Sequence, residues 1–324
     1  MAKQFHFRND RNRTEDPGIG TSFEKPLDRI LGKDGKFLVE RSSAVSLKDG
    51  FTALTTMGPG PLLVNIFLGY FVLNLLFAGF YMLVGVEQIG NADLSSPGGK
   101  WMTAMGMSLE TLTTVGYGSL YPTSPLTWAV AGVEGVFGIL GFSLIGAVIF
   151  ARFARPTARL AHSDVALIAP YKEGWSIQMR LANRRATLLS QVEASVMLVL
   201  ADKDGEAEKL NYFNLPLEMD RLNYLPLSWT LVHPLDADSP LAGMEEADLH
   251  ERRAEMILTV KGIDEVYMQQ VIARMSYRYD ELVWGGRFIR AFSAKDGTMH
   301  LDLDKIGAHD KIEGPLRLPG PTGS

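Results

Sequence analysis

Two long apolar runs constrain this chain more than anything else in its 324 residues. Residues 61–86 contain no charged side chain before Glu87. As a helix rising 1.5 Å per residue they would reach about 39 Å, enough to cross a hydrocarbon layer of about 30 Å with some tilt. Residues 126–150 form a second run of the same class, interrupted by one acid, Glu134. Two such lengths in one chain read as two transmembrane helices, over 61–86 and 125–151, rather than as core helices of a soluble domain.

Basic residues give the orientation. Arg41 and Lys48 precede the first run, and Arg152, Arg155 and Arg159 follow the second, while the connection from Glu87 to Ser124 holds only Lys100. Both termini are therefore expected in the cytoplasm. Residues 1–45 mix both charge signs with Gly and Pro and read as a flexible cytoplasmic arm. Leu47, Phe51 and Leu54 fall at i, i+4 and i+7, so residues 46–57 are expected to form a short interfacial helix. From about residue 157 the pattern changes to short alternating runs separated by turn residues, which predicts an antiparallel β-sandwich over 157–310 and a disordered tail over 311–324. The fold class is an α+β membrane protein.

Several function classes fall away on composition. A net charge of -5 provides no basic face for nucleic acid, and the absence of cysteine removes disulfides, thiolate nucleophiles and iron–sulfur clusters. The Gly-x-Ser-x-Gly elbow and the phosphate-binding P-loop are absent, and HERRA at 250–254 lacks the second His of a zinc helix. No enzyme, cofactor or metal centre other than a permeant ion is expected.

The connection between the spans carries the chemistry. Residues 101–113 are long enough for a half-membrane pore helix, whose C-terminal end carries partial negative charge suited to a cation. Thr114, Val115, Gly116, Tyr117 and Gly118 then spell TVGYG. This string is recognised from potassium channels, where four such loops present rings of carbonyl oxygens that replace the water shell of the ion. The alternating glycines permit the required backbone, and the Thr114 hydroxyl adds a further ring. Irregular backbone at membrane depth must be enclosed by protein, so the string requires a homotetramer.

Over residues 46–310 the chain resembles the prokaryotic inward-rectifier potassium channels, the KirBac group. The resemblance rests on SLETLTTVGYG at 108–118, ARFARPTA at 151–158, MRLANRR at 179–185, SWTLVHPLDADSPL at 228–241, and the GIDE and ELVWGGRF segments within 262–288. It implies a homotetramer with a central pore, re-entrant pore helix and filter, cytoplasmic immunoglobulin-like β-sandwiches, and passive potassium flux gated by anionic, phosphoinositide-like lipids. It makes Thr114, Val115, Gly116 and Tyr117 the K+ ligands and Phe150 the gate at the bundle crossing. It also places Glu193 on the inner vestibule and Gly262, Ile263 and Met268 at the cytoplasmic constriction. Lys261 departs from the acid often found before that glycine. Phe142 stands where strong rectifiers carry an acid.

Other candidates come from the residues themselves. At 100° per residue Glu134 lies about 160° from Phe150, so it is expected to face the pore helix and support the filter. Glu110 is a second filter-support candidate. In eukaryotic relatives the matching acid pairs with an Arg beyond the filter, a partner missing among Ser119, Leu120 and Tyr121. Gly132, Gly135, Gly138 and Gly141 suit close packing, with Gly138 also a candidate hinge. Arg152 and Arg155 sit at headgroup depth, explained equally by lipid binding and by topology. Two further readings remain: a channel controlled by a cytosolic ligand, and a non-conducting membrane adaptor.

Overall fold

The computed structural model describes residues 12–25, 27–40, 50–154, 156, 158–204 and 207–312. Arg155, the first part of the interfacial segment (46–49) and the tail from residue 313 lie outside the described residues. The chain divides into two compact units, Ser42–Arg155, and Met1–Arg41 with Pro156–Ser324.

The first unit is helical. Helix α1 (Gly50–Thr56) ends before Gly58, and α2 (Pro59–Val84) begins with Pro in its first turn, where a missing N–H costs nothing. It stops at Gly85, whose φ of 108° favours glycine, and the Gly85 N–H donates back to the Tyr81 carbonyl. Helix α3 (Pro97–Leu112) starts four residues before the expected 101. The Ser96 side chain caps it by accepting from the Gly99 N–H, and Pro97 supplies a preset φ, which together outweigh two glycines. Helix α4 (Pro125–Phe153) starts on the same Ser-Pro device, with Ser124 and Thr127 bonded reciprocally.

Only 22% and 17% of the most apolar windows of α2 and α4 are buried within the chain, which excludes core helices of a soluble fold. The apolar surface left open includes Val64, Phe67, Phe71 and Leu83 on α2 and Ile139, Leu140 and Leu144 on α4. The buried remainder gathers Ala78 and Tyr81 of α2 with Ala104 and Met107 of α3. Thus α3 is the element around which the other two pack.

The second unit is a two-sheet sandwich. One sheet runs Ala207–Leu215, Leu189–Asp204, Glu255–Asp264, Gln269–Arg278; the other runs Ser228–Pro234, Gly174–Asn183, Ala166–Tyr171, Leu282–Trp284. Their inner faces share one core, in which Val196, Leu198 and Leu258 meet Ile177, Met179, Leu181 and Leu231. The strict inside–outside alternation of Ser228–Pro234 shows why that run reads as a strand. One pair departs from the antiparallel expectation, because Leu282–Trp284 runs parallel to Ala166–Tyr171.

The expected flexible arm is corrected over residues 12–40. Arg13–Thr14 and Ser22–Phe23 pair with the edge strand Ala207–Leu215, and Ile30 and Leu31 are buried with Val199, Tyr212 and Ile257. The buried Glu255 carboxylate accepts from the Ile30 and Leu31 N–H groups at 2.8 and 3.2 Å, and Arg29 makes a paired contact with Glu281 and bonds Ser276. Mixed charge hid two apolar anchors and their polar clamps. At the other end, His309–Lys311 pairs with Gly286–Phe288, so the tail does not begin at 311.

Candidate ion-conduction site

The candidate filter leaves the C-terminal end of α3. The backbone is left-handed at every second residue, with φ of 59° at Thr114, 55° at Gly116 and 76° at Gly118, while Val115 and Tyr117 between them keep negative φ. Such alternation turns successive peptide planes so that their carbonyls face one way, and glycine meets it cheaply at two of three positions. Thr114 N–H donates to the Thr111 carbonyl at 3.1 Å and Gly116 N–H to the Glu110 carbonyl at 3.2 Å, so filter amides are tied back to α3. Val115 and Tyr117 are 53% and 80% exposed in the single chain, an apolar and a phenolic surface left bare.

Support comes from both flanks. Ser119 Oγ donates to Glu110 Oε1 at 2.9 Å, and Asn91 Nδ2 donates to the Ser119 carbonyl. No Arg follows the loop, as expected, and the Ser119 hydroxyl partners Glu110 instead. Glu110 Oε2 is buried without a partner among the described residues. Behind the pore helix, Glu134 is fully buried, accepting from Tyr81 Oη at 2.8 Å and lying 2.5 Å from Ser108 Oγ. Gly138 marks the closest backbone approach: a Cβ there falls 2.3 Å from the Leu112 carbonyl oxygen. Helix α4 passes through Gly138 unbroken, with this glycine close against the end of α3.

Toward the end of α4, Phe142 and Phe150 are 76% and 74% exposed and two turns apart. Arg152 Nη1 donates to the Met57 carbonyl at 2.6 Å, just past the C-terminal end of α1. A cation there offsets the negative end of the helix and neutralises an orphan carbonyl. This side chain therefore has a structural partner within the chain.

In the β unit, Glu193 does not stand as a free acid. It lies opposite Arg221 on one side and Lys261 on the other, with Arg221 Nε 3.4 Å from its Oε1. Gly262 sits at an irregularity in strand register, buried against Val192; Ile263 is half-buried, and Met268, at φ 51°, projects from the hairpin tip.

Comparison with known proteins fits this arrangement. The family described as inward rectifier potassium channel C-terminal domain matches residues 160–317, and that described as ion channel matches residues 69–155. The inward rectifier potassium channel Kirbac3.1 of Paramagnetospirillum magnetotacticum is 34% identical over 297 residues, spanning 89% of this chain and 97% of that one. The chain belongs to the inward-rectifier potassium channel family. Its relatives extend to the ATP-sensitive inward rectifier potassium channel 11 of Homo sapiens, 25% identical over 313 residues and covering 89% of this chain and 80% of that one. Within the family it is of the prokaryotic KirBac type. Membership in a channel family also answers the enzyme question in the negative.

Contacts made by four residues around these positions are not legible in the sequence. Ser119 was passed over because its value lies in reaching back nine residues to Glu110. Ser108 and Tyr81 look like ordinary polar residues until Glu134 is set between them. Asp264 is buried at the base of the hairpin tip, accepting from the Val266 N–H at 3.0 Å and lying 3.6 Å from Arg185. The adjacent GIDE and MRLANRR strings were the available signal.

Proposed function

We propose that four copies of this chain surround one axis and conduct K+ passively through Thr114, Val115, Gly116, Tyr117 and Gly118. The observation that carries this reading is the alternation of backbone handedness over 114–118, the conformation that aims consecutive carbonyls at a dehydrated cation. Support comes from the bare Val115 and Tyr117 side chains, which neighbouring copies would enclose, and from the rule that irregular backbone at membrane depth needs protein around it. The backbone carbonyls of 114–117 and the Thr114 hydroxyl are the ion ligands. Glu110 and Glu134 hold the loop from behind.

Phe150 is the inner gate, a bulky side chain left open near the end of α4. Anionic lipid acts on Arg152 and Arg155, each attracting such a surface by about 1 kcal/mol. Arg152 already holds the end of α1, so a headgroup that draws the guanidinium away releases α1 from α4. In the cytoplasm Gly262, Ile263 and Met268 form a second constriction, and both termini lie on that side.

Liposome flux tests the lipid part. Rubidium uptake is measured with and without phosphoinositide in wild type, Arg152→Gln and Arg155→Gln. The expected result is a lipid response in wild type that shrinks severalfold in each variant. Equal responses in all three proteins would remove these arginines from the lipid site.

A further inference from the structure

The buried polar cluster behind the proposed filter sets three hydrogen-bond acceptors around a hydroxyl that has one hydrogen to give. Ser108 Oγ lies 2.5 Å from Glu134 Oε1, 3.1 Å from Asn74 Oδ1 and 3.2 Å from the Asn74 carbonyl, with a single hydrogen of its own. The Asn74 amide has a fixed orientation, because its Nδ2 donates to the Tyr70 carbonyl at 2.8 Å. Turning it over would set two oxygens against each other. Tyr81 Oη occupies the other carboxyl oxygen, Oε2, at 2.8 Å. Glu134 and Ser108 are fully buried and Asn74 is 4% exposed, so solvent cannot supply a missing donor.

The Asn74 main-chain carbonyl lies inside α2, where the amide four residues on serves it, and only one distribution of hydrogens then places one between Ser108 Oγ and each of Glu134 Oε1 and Asn74 Oδ1. If Glu134 were a carboxylate, the Ser108 hydrogen would go to it and Asn74 Oδ1 would face a bare oxygen. If the carboxyl hydrogen sat on Oε2, the same conflict would remain. We propose that Glu134 is a neutral carboxylic acid that donates from Oε1 to Ser108 Oγ, making Tyr81, Glu134, Ser108 and Asn74 a one-way chain of donors. Ser108 then passes its own hydrogen to Asn74 Oδ1. A buried network with every member satisfied specifies a single geometry, whereas a partly satisfied one does not.

The chain joins all three long membrane helices, since Asn74 and Tyr81 belong to α2, Ser108 to α3 and Glu134 to α4. Ser108 stands two residues before Glu110, whose carbonyl receives the Gly116 N–H. Ser108, Asn74 and Tyr81 are therefore positioning residues: they set the rotation of α3 and, through it, where the filter amides attach. This deepens the proposed conduction role and rests on it for its consequence, but the location of the hydrogen is measured independently of any flux.

The test is infrared difference spectroscopy on the full-length reconstituted protein, comparing wild type with Glu134→Gln and with Ser108→Ala. A protonated-carboxyl C=O band, shifted by deuterium oxide and missing in Glu134→Gln, is expected. In Ser108→Ala the band should persist and move to higher frequency, because its acceptor has gone. A carboxylate band in place of the carboxyl band would overturn the proposal, as would a carboxyl band unmoved by Ser108→Ala. Selectivity provides the second readout. Glu134→Gln still donates to Ser108 and Glu134→Leu does not, so the K+ over Na+ uptake ratio should fall about tenfold further in the leucine variant, as for loss of one buried hydrogen bond. Equal ratios would overturn the positioning role while leaving conduction itself untouched.

Discussion

At Gly138 the side chain matters by being absent. A Cβ would meet the Leu112 carbonyl oxygen at 2.3 Å, and backbone on both sides leaves little room to yield. Gly138→Ala should therefore cost about 1–3 kcal/mol through overpacking, read as a lowered melting temperature of the purified protein together with weaker K+ selectivity; wild-type values of both would contradict the packing role. Gly116 presents the opposite case, with open space around it but φ at 55°. Gly116→Ala should cost about 1–2 kcal/mol per subunit by backbone strain alone and lower K+ over Na+ uptake, while leaving the β unit's circular dichroism unchanged. The proposed filter is legible as a string, because five consecutive residues carry it. Its supports are not, because Ser119, Ser108 and Tyr81 act across 9, 26 and 53 residues of sequence on Glu110 and Glu134.

Among the elements, the spans were readable to within a few residues because charge-free length is a strong signal, whereas α3 began early on a Ser-Pro cap that two following glycines masked. The N-terminal segment was misread for a physical reason: composition registers its charges, not the partners that bury them. Arg29 and Glu281 supply an acid-sensitive clamp. Burial works to raise the Glu281 carboxyl, but bonds from Arg29, the Arg278 N–H and Lys33 hold it below its usual 4.5. A carboxyl lowered on folding contributes stability that is present above about 4.5 and lost as pH falls through the folded value. Residues 12–31 should accordingly lose amide protection below pH 4.5, with Glu281→Gln poorly protected already at neutral pH. A protection factor, taken against intrinsic exchange at each pH, that does not fall below pH 4.5 in wild type would contradict the clamp. Buried His233 acts in the same direction at higher pH. Desolvation lowers its basicity, the Pro216 carbonyl and Asp236 opposing, so unfolding takes up a proton and the β unit should lose stability below about pH 6.5. Chemical denaturation of His233→Gln should flatten that slope; an unchanged slope would place the proton uptake elsewhere.

Over the whole molecule, the exposed surfaces of one chain describe what must surround it. The apolar faces of α2 and α4 suit lipid, and under the proposed reading copies of the chain would enclose the 114–118 loop, whose Tyr117 is 80% exposed. Family membership and membrane class were legible in full from motifs spread over both units. The proposed assembly rests on what a filter of this kind would require. The measurement that tests the central claim most directly is the reversal potential of the purified full-length protein in planar bilayers under a K+ gradient with Na+ opposed, with and without barium. The account predicts a barium-sensitive current reversing near the K+ equilibrium potential in wild type and shifted toward zero in Gly116→Ala. A current that does not distinguish K+ from Na+, or one indifferent to Gly116→Ala, would contradict the assignment of conduction to residues 114–118.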